Sequence, residues 1–230
     1  MRLENITGTD FNNRYKLAIF DMDGTILNTI DDLTDATNYA LRKHGLRELT
    51  VKEECMIVGN GLFTTAKRAV PEGTDEETLN AVFTDFAAYY KEHNEDKTRP
   101  YEGIVEVIHA LRKAGVKTAV VSNKADYAVK SLVKKYFEDC FDMAMGETPG
   151  FALKPDKAMV DEILRSLGTE RNDAVYIGDS NVDLLTAENS GMDCIAVSWG
   201  FRGHAKLLEY GARTIIDKPE EILDLIIQSR

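Results

Sequence analysis

The chain has 230 residues, of which 43% are hydrophobic and 29% charged, and a formal net charge of −11 at pH 7. Such a chain suits one large globular domain, or one domain carrying a smaller one. The acidic balance speaks against nucleic acid as a partner, and no apolar run approaches the roughly 18 residues that a membrane helix needs.

The first residues, MRLENITGTDFNNRYK, have no apolar core of the signal-peptide kind, so a cytoplasmic protein is expected. Asn5-Ile6-Thr7 matches the glycosylation pattern, and without secretion the match reads as chance. Leu17–Phe20 are apolar without a break, as in a strand covered on both faces, and Asp21, Asp23, Gly24 and Thr25 follow directly. From about Asn28 to about Thr98 the pattern is helical only. Ile30, Leu33, Thr37, Ala40, Leu41 and His44 are helically spaced, and further helices are expected over Val51–Ile57, Leu62–Ala69 and Glu76–Glu92. Gly59-Asn60-Gly61 and Pro71-Glu72-Gly73 separate them.

After Arg99-Pro100 strands and helices alternate. Strands are expected at Lys117–Val121, Phe141–Met145, Ala174–Ile177 and Cys194–Val197, with a weaker one at Thr214–Ile216. Between them, three sets of residues each occupy one helical face: Ile104, Val107, Ile108 and Leu111; Val129, Leu132, Val133 and Tyr136; Met159, Ile163, Leu164 and Leu167. The expected fold is α/β, a doubly wound parallel sheet with a Rossmann-like core. Residues 1–27 and 99–230 would form that core, and residues 28–98 an inserted all-helical cap able to act as a lid. Cys55, Cys140 and Cys194 are far apart and form no CxxC pair, which fits a reducing compartment and neither a disulfide framework nor a zinc site.

Ligands of open parallel sheets bind at the carboxyl ends of the strands. Asp21 and Asp23 follow the first strand, Ser122, Asn123 and Lys124 the second, and Gly178, Asp179, Ser180, Asn181 and Asp183 the fourth. Lys154 precedes Pro155, which keeps it out of helix and on an extended loop. Carboxylates crowded at one edge repel each other and need a cation, and oxygen ligands of this kind suit Mg²⁺. A lysine and loop amides suit charge stabilisation in phosphoryl transfer, one Asp can attack phosphorus, and a second can shuttle a proton.

DMDGT, VVSN, LKP and GDSNVD stand in the order of the four motifs of the haloacid dehalogenase-like hydrolase superfamily, and the chain resembles that superfamily from about Tyr15 to about Leu225. The helical insert resembles its type 1 cap. Gly59-Asn60-Gly61 and SWGFRG resemble the phosphoglycolate phosphatases and their relatives. The resemblance implies Asp21 as nucleophile, Asp23 as acid/base, and Ser122, Asn123 and Lys154 as phosphate-binding groups, with Lys154 also steadying the nucleophile. It implies Mg²⁺ held by the side chains of Asp21 and Asp179 and the backbone carbonyl of Asp23, with Asp183 and Thr25 in support. Asn28 stands where the family often has Asp, and Glu102 where PYPG is common.

The implied activity is a Mg²⁺-dependent phosphatase acting on a small phosphomonoester through an aspartyl-phosphate, as a monomer or small homo-oligomer. A phosphomutase of the β-phosphoglucomutase type needs the same carboxylate pair. A non-catalytic phospho-accepting module gathers similar residues but lacks a cap of this size. Arg68, Lys124 and Arg202 are candidates to reach a substrate carboxylate; pairing with surface carboxylates is the expected reading for them. Trp199 is expected to pack at a strand end.

Overall fold

In the computed structural model, which describes residues 13–227, the expected alternation closes into a six-stranded sheet. The Asn5-Ile6-Thr7 motif lies outside the described residues. The strands are β1 (Leu17–Phe20), β4 (Lys117–Ala125), β5 (Met143–Glu147), β6 (Ala174–Gly178), β7 (Asp193–Val197) and β8 (Ile215–Ile216). They lie in the order β5-β4-β1-β6-β7-β8, and every pairing is parallel. β1 is therefore central. The chain leaves it toward β4 on one side and later returns to its other side with β6, which creates the crevice at the strands' carboxyl ends.

Burial on both faces explains the unbroken apolar run of β1. Ala18 and Phe20 join a core with Val120, Val175 and Ile177 under helices α5 (Ile104–Lys113), α6 (Asp126–Tyr136) and α10 (Glu221–Ile226). Leu17 and Ile19 face the other way, onto Ala119, Val121 and Tyr176 under α7 (Ala158–Leu167) and α8 (Asn181–Asn189). Each fully buried Leu, Ile or Phe of this kind contributes about 1.5–3 kcal/mol. The remaining core helix, α9 (Gly203–Glu209), follows β7.

Between β1 and α5 lie four helices, α1 (Ile30–Lys43), α2 (Val51–Ile57), α3 (Leu62–Ala69) and α4 (Glu76–His93). They share a third apolar cluster, built on Ile30, Leu33, Leu41, Val82, Phe86 and Tyr90. Thr50 and Glu53 form a reciprocal capping box on α2, and the Asp75 carboxylate caps α4. Sequence reading missed one feature here. The two crossings between core and insert pair with each other as an antiparallel ribbon, β2 (Leu27–Asn28) with β3 (Arg99–Pro100). Asp32 of α1 closes that end of the insert by accepting from the Lys97 and Thr98 amides and the Thr98 hydroxyl.

Several strand ends differ from expectation; β5 and β6 run on to Glu147 and Gly178, and β8 starts only at Ile215. β4 continues through Ser122, Asn123 and Lys124, its register shifting between Val121 and Ala125. β5 starts at Met143, because Phe141 turns inward instead, edge-on to Phe20 and Phe137. Asp193 adds one residue to the front of β7. No described helix is long and apolar enough to cross a membrane.

Candidate active site

Asp21 leaves β1 at the crevice and is almost wholly buried. Lys154 Nζ donates to Asp21 Oδ1 at 2.7 Å, to Asp183 Oδ1 at 2.9 Å and to the Tyr176 hydroxyl at 3.1 Å. Asp183 is held from its other side. Its Oδ2 accepts from the Ser180 amide at 3.1 Å and the Ser180 hydroxyl at 2.6 Å, the same capping box that starts α8. Asp179, just before Ser180 in sequence, accepts from the Phe201 amide at 2.7 Å and from the Thr25 hydroxyl at 3.5 Å. The Trp199 indole donates to the Thr25 carbonyl at 3.0 Å, so this residue fixes the loop as well as packing at the end of β7.

Close backbone approach makes this possible. Gly24 takes a left-handed conformation, φ +86°, and a Cβ there would lie 2.5 Å from Asp179 Oδ2. A Cβ on Gly200 would lie 2.3 Å from Asp179 Cβ and 2.4 Å from the Gly24 carbonyl. Two glycines thus sandwich one carboxylate.

One oxygen from each of Asp21, Asp179 and Asp183 lies within 4.8 Å of the others. Burial, then the Asp183 charge, drives the Asp21 carboxyl well above the ordinary range. The same two causes push Asp179 up to about 7. Burial alone would lower the Lys154 ammonium, but the Asp183 and Asp21 carboxylates overturn it and raise it. Burial and mutual repulsion act together here: three carboxylates crowd around one ammonium in a dry site, and the Arg202 charge offsets only part of the rise at Asp179. A divalent cation relieves that crowding, and hard carboxylate oxygens are the donors Mg²⁺ takes, so the residues present fit the ion.

Asp23 stands apart from that cluster. Its Oδ1 accepts from Lys124 Nζ at 3.1 Å, and the buried Lys124 also donates to the hydroxyl of Tyr90 on α4. Lys124 is therefore paired inside the cleft, not with a surface carboxylate. Ser122 is buried, and its hydroxyl accepts from the Lys124 amide at 3.2 Å. The Asn123 side chain is a clamp. Its Nδ2 donates to the carbonyls of Lys154 and Gly59 at 3.0 and 3.1 Å, and its Oδ1 accepts from the Lys154 amide at 2.7 Å.

The cleft between the sheet edge and the insert measures about 600 Å³, its mouth included. Asp21, Asp23, Ser122, Asn123, Lys154 and Asp179 all line it. So do Gly59 and Gly61 from the turn between α2 and α3, and Arg202 from the loop after β7. Arg68 does not; its Nη1 donates to Ile57 O and Asn60 Oδ1, both at 2.9 Å, within the insert. Among the described residues, neither Arg68 nor Arg202 forms the surface carboxylate pair expected for it. Sequence reading missed Tyr176 and Tyr90. A tyrosine inside the aliphatic strand β6 is the signal for the first, since a buried hydroxyl needs a partner.

A family profile described as haloacid dehalogenase-like hydrolase matches residues 18–197. A phosphoglycolate phosphatase of Agrobacterium fabrum is 30% identical over 190 residues, 80% of this chain and 81% of the relative. A pyrophosphatase PpaX of Bacillus cereus is 24% identical over 210 residues, 91% of this chain and 95% of the relative. A crystal structure from Lactobacillus delbrueckii subsp. bulgaricus, assigned provisionally as a phosphoglycolate phosphatase, superposes with a TM-score of 0.89 at 40% identity, covering 93% of this chain and 99% of that one.

Proposed function

The chain belongs to the haloacid dehalogenase-like hydrolase family, and from that premise we propose that it is a Mg²⁺-dependent phosphatase that hydrolyses a small, phosphoglycolate-like phosphomonoester through an aspartyl-phosphate. The observation that carries the reading is the buried Asp21–Lys154–Asp183 linkage with Asp179 beside it and Asp23 outside it. Two carboxylates two residues apart thus have different surroundings, and so different roles.

Asp21 attacks phosphorus, and the ester oxygen leaves with a proton from Asp23. Asp23 then takes a proton from the water that cleaves the aspartyl-phosphate, releasing phosphate and restoring Asp21. Lys154 holds the nucleophile in place and offsets charge on the phosphoryl oxygens. Ser122 contributes its hydroxyl to those oxygens; Asn123, its side chain engaged as a clamp, contributes its backbone amide. Asp21, Asp179 and the Asp23 carbonyl would hold Mg²⁺, with Asp183 and Thr25 orienting the set; the ion supplies charge neutralisation between the anionic nucleophile and the anionic substrate.

Residues 28–98 serve as the cap over a core formed by residues 1–27 and 99–230. A cytoplasmic monomer or small homo-oligomer completes the reading, with no nucleic-acid or membrane partner. The test is phosphate release from p-nitrophenyl phosphate and a panel of small phosphate esters, with and without Mg²⁺. Metal-dependent turnover is expected; no turnover of any ester overturns the proposal.

A further inference from the structure

Three cations reach the cleft, and their partners differ. Lys154 is engaged by Asp21 and Asp183, and Lys124 by Asp23 and Tyr90. Arg202 forms no ion pair with a carboxylate among the described residues, and its charge reaches Asp179 only from beyond ion-pair distance, lowering that carboxyl. Its Nη2 donates to the Val58 carbonyl at 2.7 Å, and its Nη1 is buried with no hydrogen-bond partner among the described residues. A guanidinium has five N–H donors and cannot shed its charge, so a buried end without an acceptor is costly unless an anion meets it.

Its position says which anion. Arg202 follows Phe201, whose amide is on Asp179, and Gly200, which packs on the same carboxylate. From that anchor the side chain crosses to the insert at Val58, next to the Gly59–Asn123 clamp. A Cβ on Gly59 would sit 3.7 Å from Nη2, an ordinary contact, so this turn of the insert lies directly beside the guanidinium. Around it the insert's wall is apolar, with Leu33, Val58 and Leu62. The reacting phosphoryl group belongs at Asp21 and Lys154. Arg202 stands where core and insert meet, the place for the part of the ester that leaves.

We infer that Arg202 sets substrate specificity by binding, through Nη1, a second anionic group on the leaving-group side of the phosphate ester. The inference rests on the phosphatase reading and deepens it. The ligand chemistry is a carboxylate or phosphoryl oxygen a few atoms from the reacting phosphorus. A neutral tail of equal length leaves the guanidinium end without its acceptor.

Binding separates this from catalysis. In Mg²⁺ buffer, calorimetric titration of the Asp21→Asn protein compares phosphoglycolate with 2-hydroxyethyl phosphate, its neutral-tailed counterpart, and includes pyrophosphate for the phosphoryl source. The anionic tails should bind more tightly. Adding Arg202→Gln should shrink that preference by about 10- to 100-fold, as for loss of a charge-assisted hydrogen bond, and Arg202→Lys should retain part of it. Shrinkage for phosphoglycolate alone assigns a carboxylate reader, and for both ligands a general anion reader. Equal affinity for charged and neutral tails, or a parallel loss of all three ligands in both variants, overturns the inference and leaves Arg202 a tie between core and insert. Absence of turnover in the wild-type screen would overturn the phosphatase reading, while this titration would still decide the role of Arg202.

Discussion

Lys124 and Tyr90 join the sheet edge to the longest helix of the insert by one buried hydrogen bond, and the same ammonium holds Asp23. The Tyr90 hydroxyl is raised to about 12, chiefly by burial, so it is a neutral acceptor at any working pH. Tyr90→Phe keeps the ring over Lys124 but leaves a buried ammonium one acceptor short. Unfolding free energy by urea titration should fall by about 1–3 kcal/mol. KM should rise more than kcat falls, since closure of the insert is weakened while Asp21 and Lys154 stay in place. An unchanged KM in a destabilised variant would confine Tyr90 to stability.

Asp21→Asn replaces the nucleophile with an isosteric amide. Turnover should fall by about 1,000-fold or more with the circular dichroism spectrum unchanged. Rapid acid quenching with phosphorus-labelled substrate should trap labelled wild-type protein and none of the variant. Asp23→Asn should still form labelled protein, but slowly, and should discharge it slowly too, because one carboxyl serves both half-reactions. Appreciable turnover by folded Asp21→Asn protein would reject the nucleophile assignment.

Metal binding has a readout apart from turnover. The crowding of the buried Asp21, Asp179 and Asp183 carboxyls favours any state in which Mg²⁺ is bound. At Mg²⁺ about 100-fold above its dissociation constant, the wild-type melting temperature should rise by about 5–10 °C. Asp179→Asn removes one charge from the crowded cluster, so without metal it should be no less stable than the wild type. Its response to Mg²⁺ should nearly vanish. An equal upward shift in both proteins would place the ion elsewhere.

Gly200→Ala tests the sandwich around Asp179. The new methyl would lie 2.3 Å from Asp179 Cβ and 2.4 Å from the Gly24 carbonyl, both closer than atoms approach. The backbone has to move, and with it the Phe201 amide that holds Asp179. A loss of about 1–3 kcal/mol in stability is expected, together with weaker Mg²⁺ protection in the same melting assay. Wild-type behaviour in both would show that the loop yields freely.

The parts of this molecule that sequence reveals are those whose physics is local. Leu17–Phe20 reads as a doubly covered strand because four apolar residues in a row have no other economical explanation, and the structure buries all four completely. The faces of α5 and α7 follow from the 3.6-residue period. Asp21, Asp23, Lys154, Asp179 and Asp183 lie on short motifs tied to strand ends. What stayed hidden depends on residues far apart in the chain. The β2–β3 ribbon pairs two residues with two others across the whole insert, which leaves no periodic trace. Polar Ser122-Asn123-Lys124 look like a loop, yet they continue β4 through a register shift. The partners of Lys124 and Arg202 lie on α4 and beside α2, and no spacing within either motif announces them.

Glu54 gives a prediction about stability and pH. It is fully buried on α2 with Oε1 accepting from the Thr37 hydroxyl at 2.9 Å, while Oε2 has no partner among the described residues. Burial raises its carboxyl from 4.5 to about 7, partly offset by the Thr37 bond. The folded protein therefore keeps this proton between about pH 4.5 and 7, where the unfolded chain has lost it. Stability from this group is fully present below the lower value, falls as pH rises through the window, and is gone above the upper one. At about 1.4 kcal/mol per pH unit the total is at most about 3.5 kcal/mol. Glu54→Gln cannot ionise, so it should lack this component. Urea titrations at pH 5 and pH 8 should show the variant gaining on the wild type at pH 8 by up to that amount. A wild-type-minus-variant difference that does not change between the two pH values would mean that Glu54 ionises at its ordinary value inside the fold.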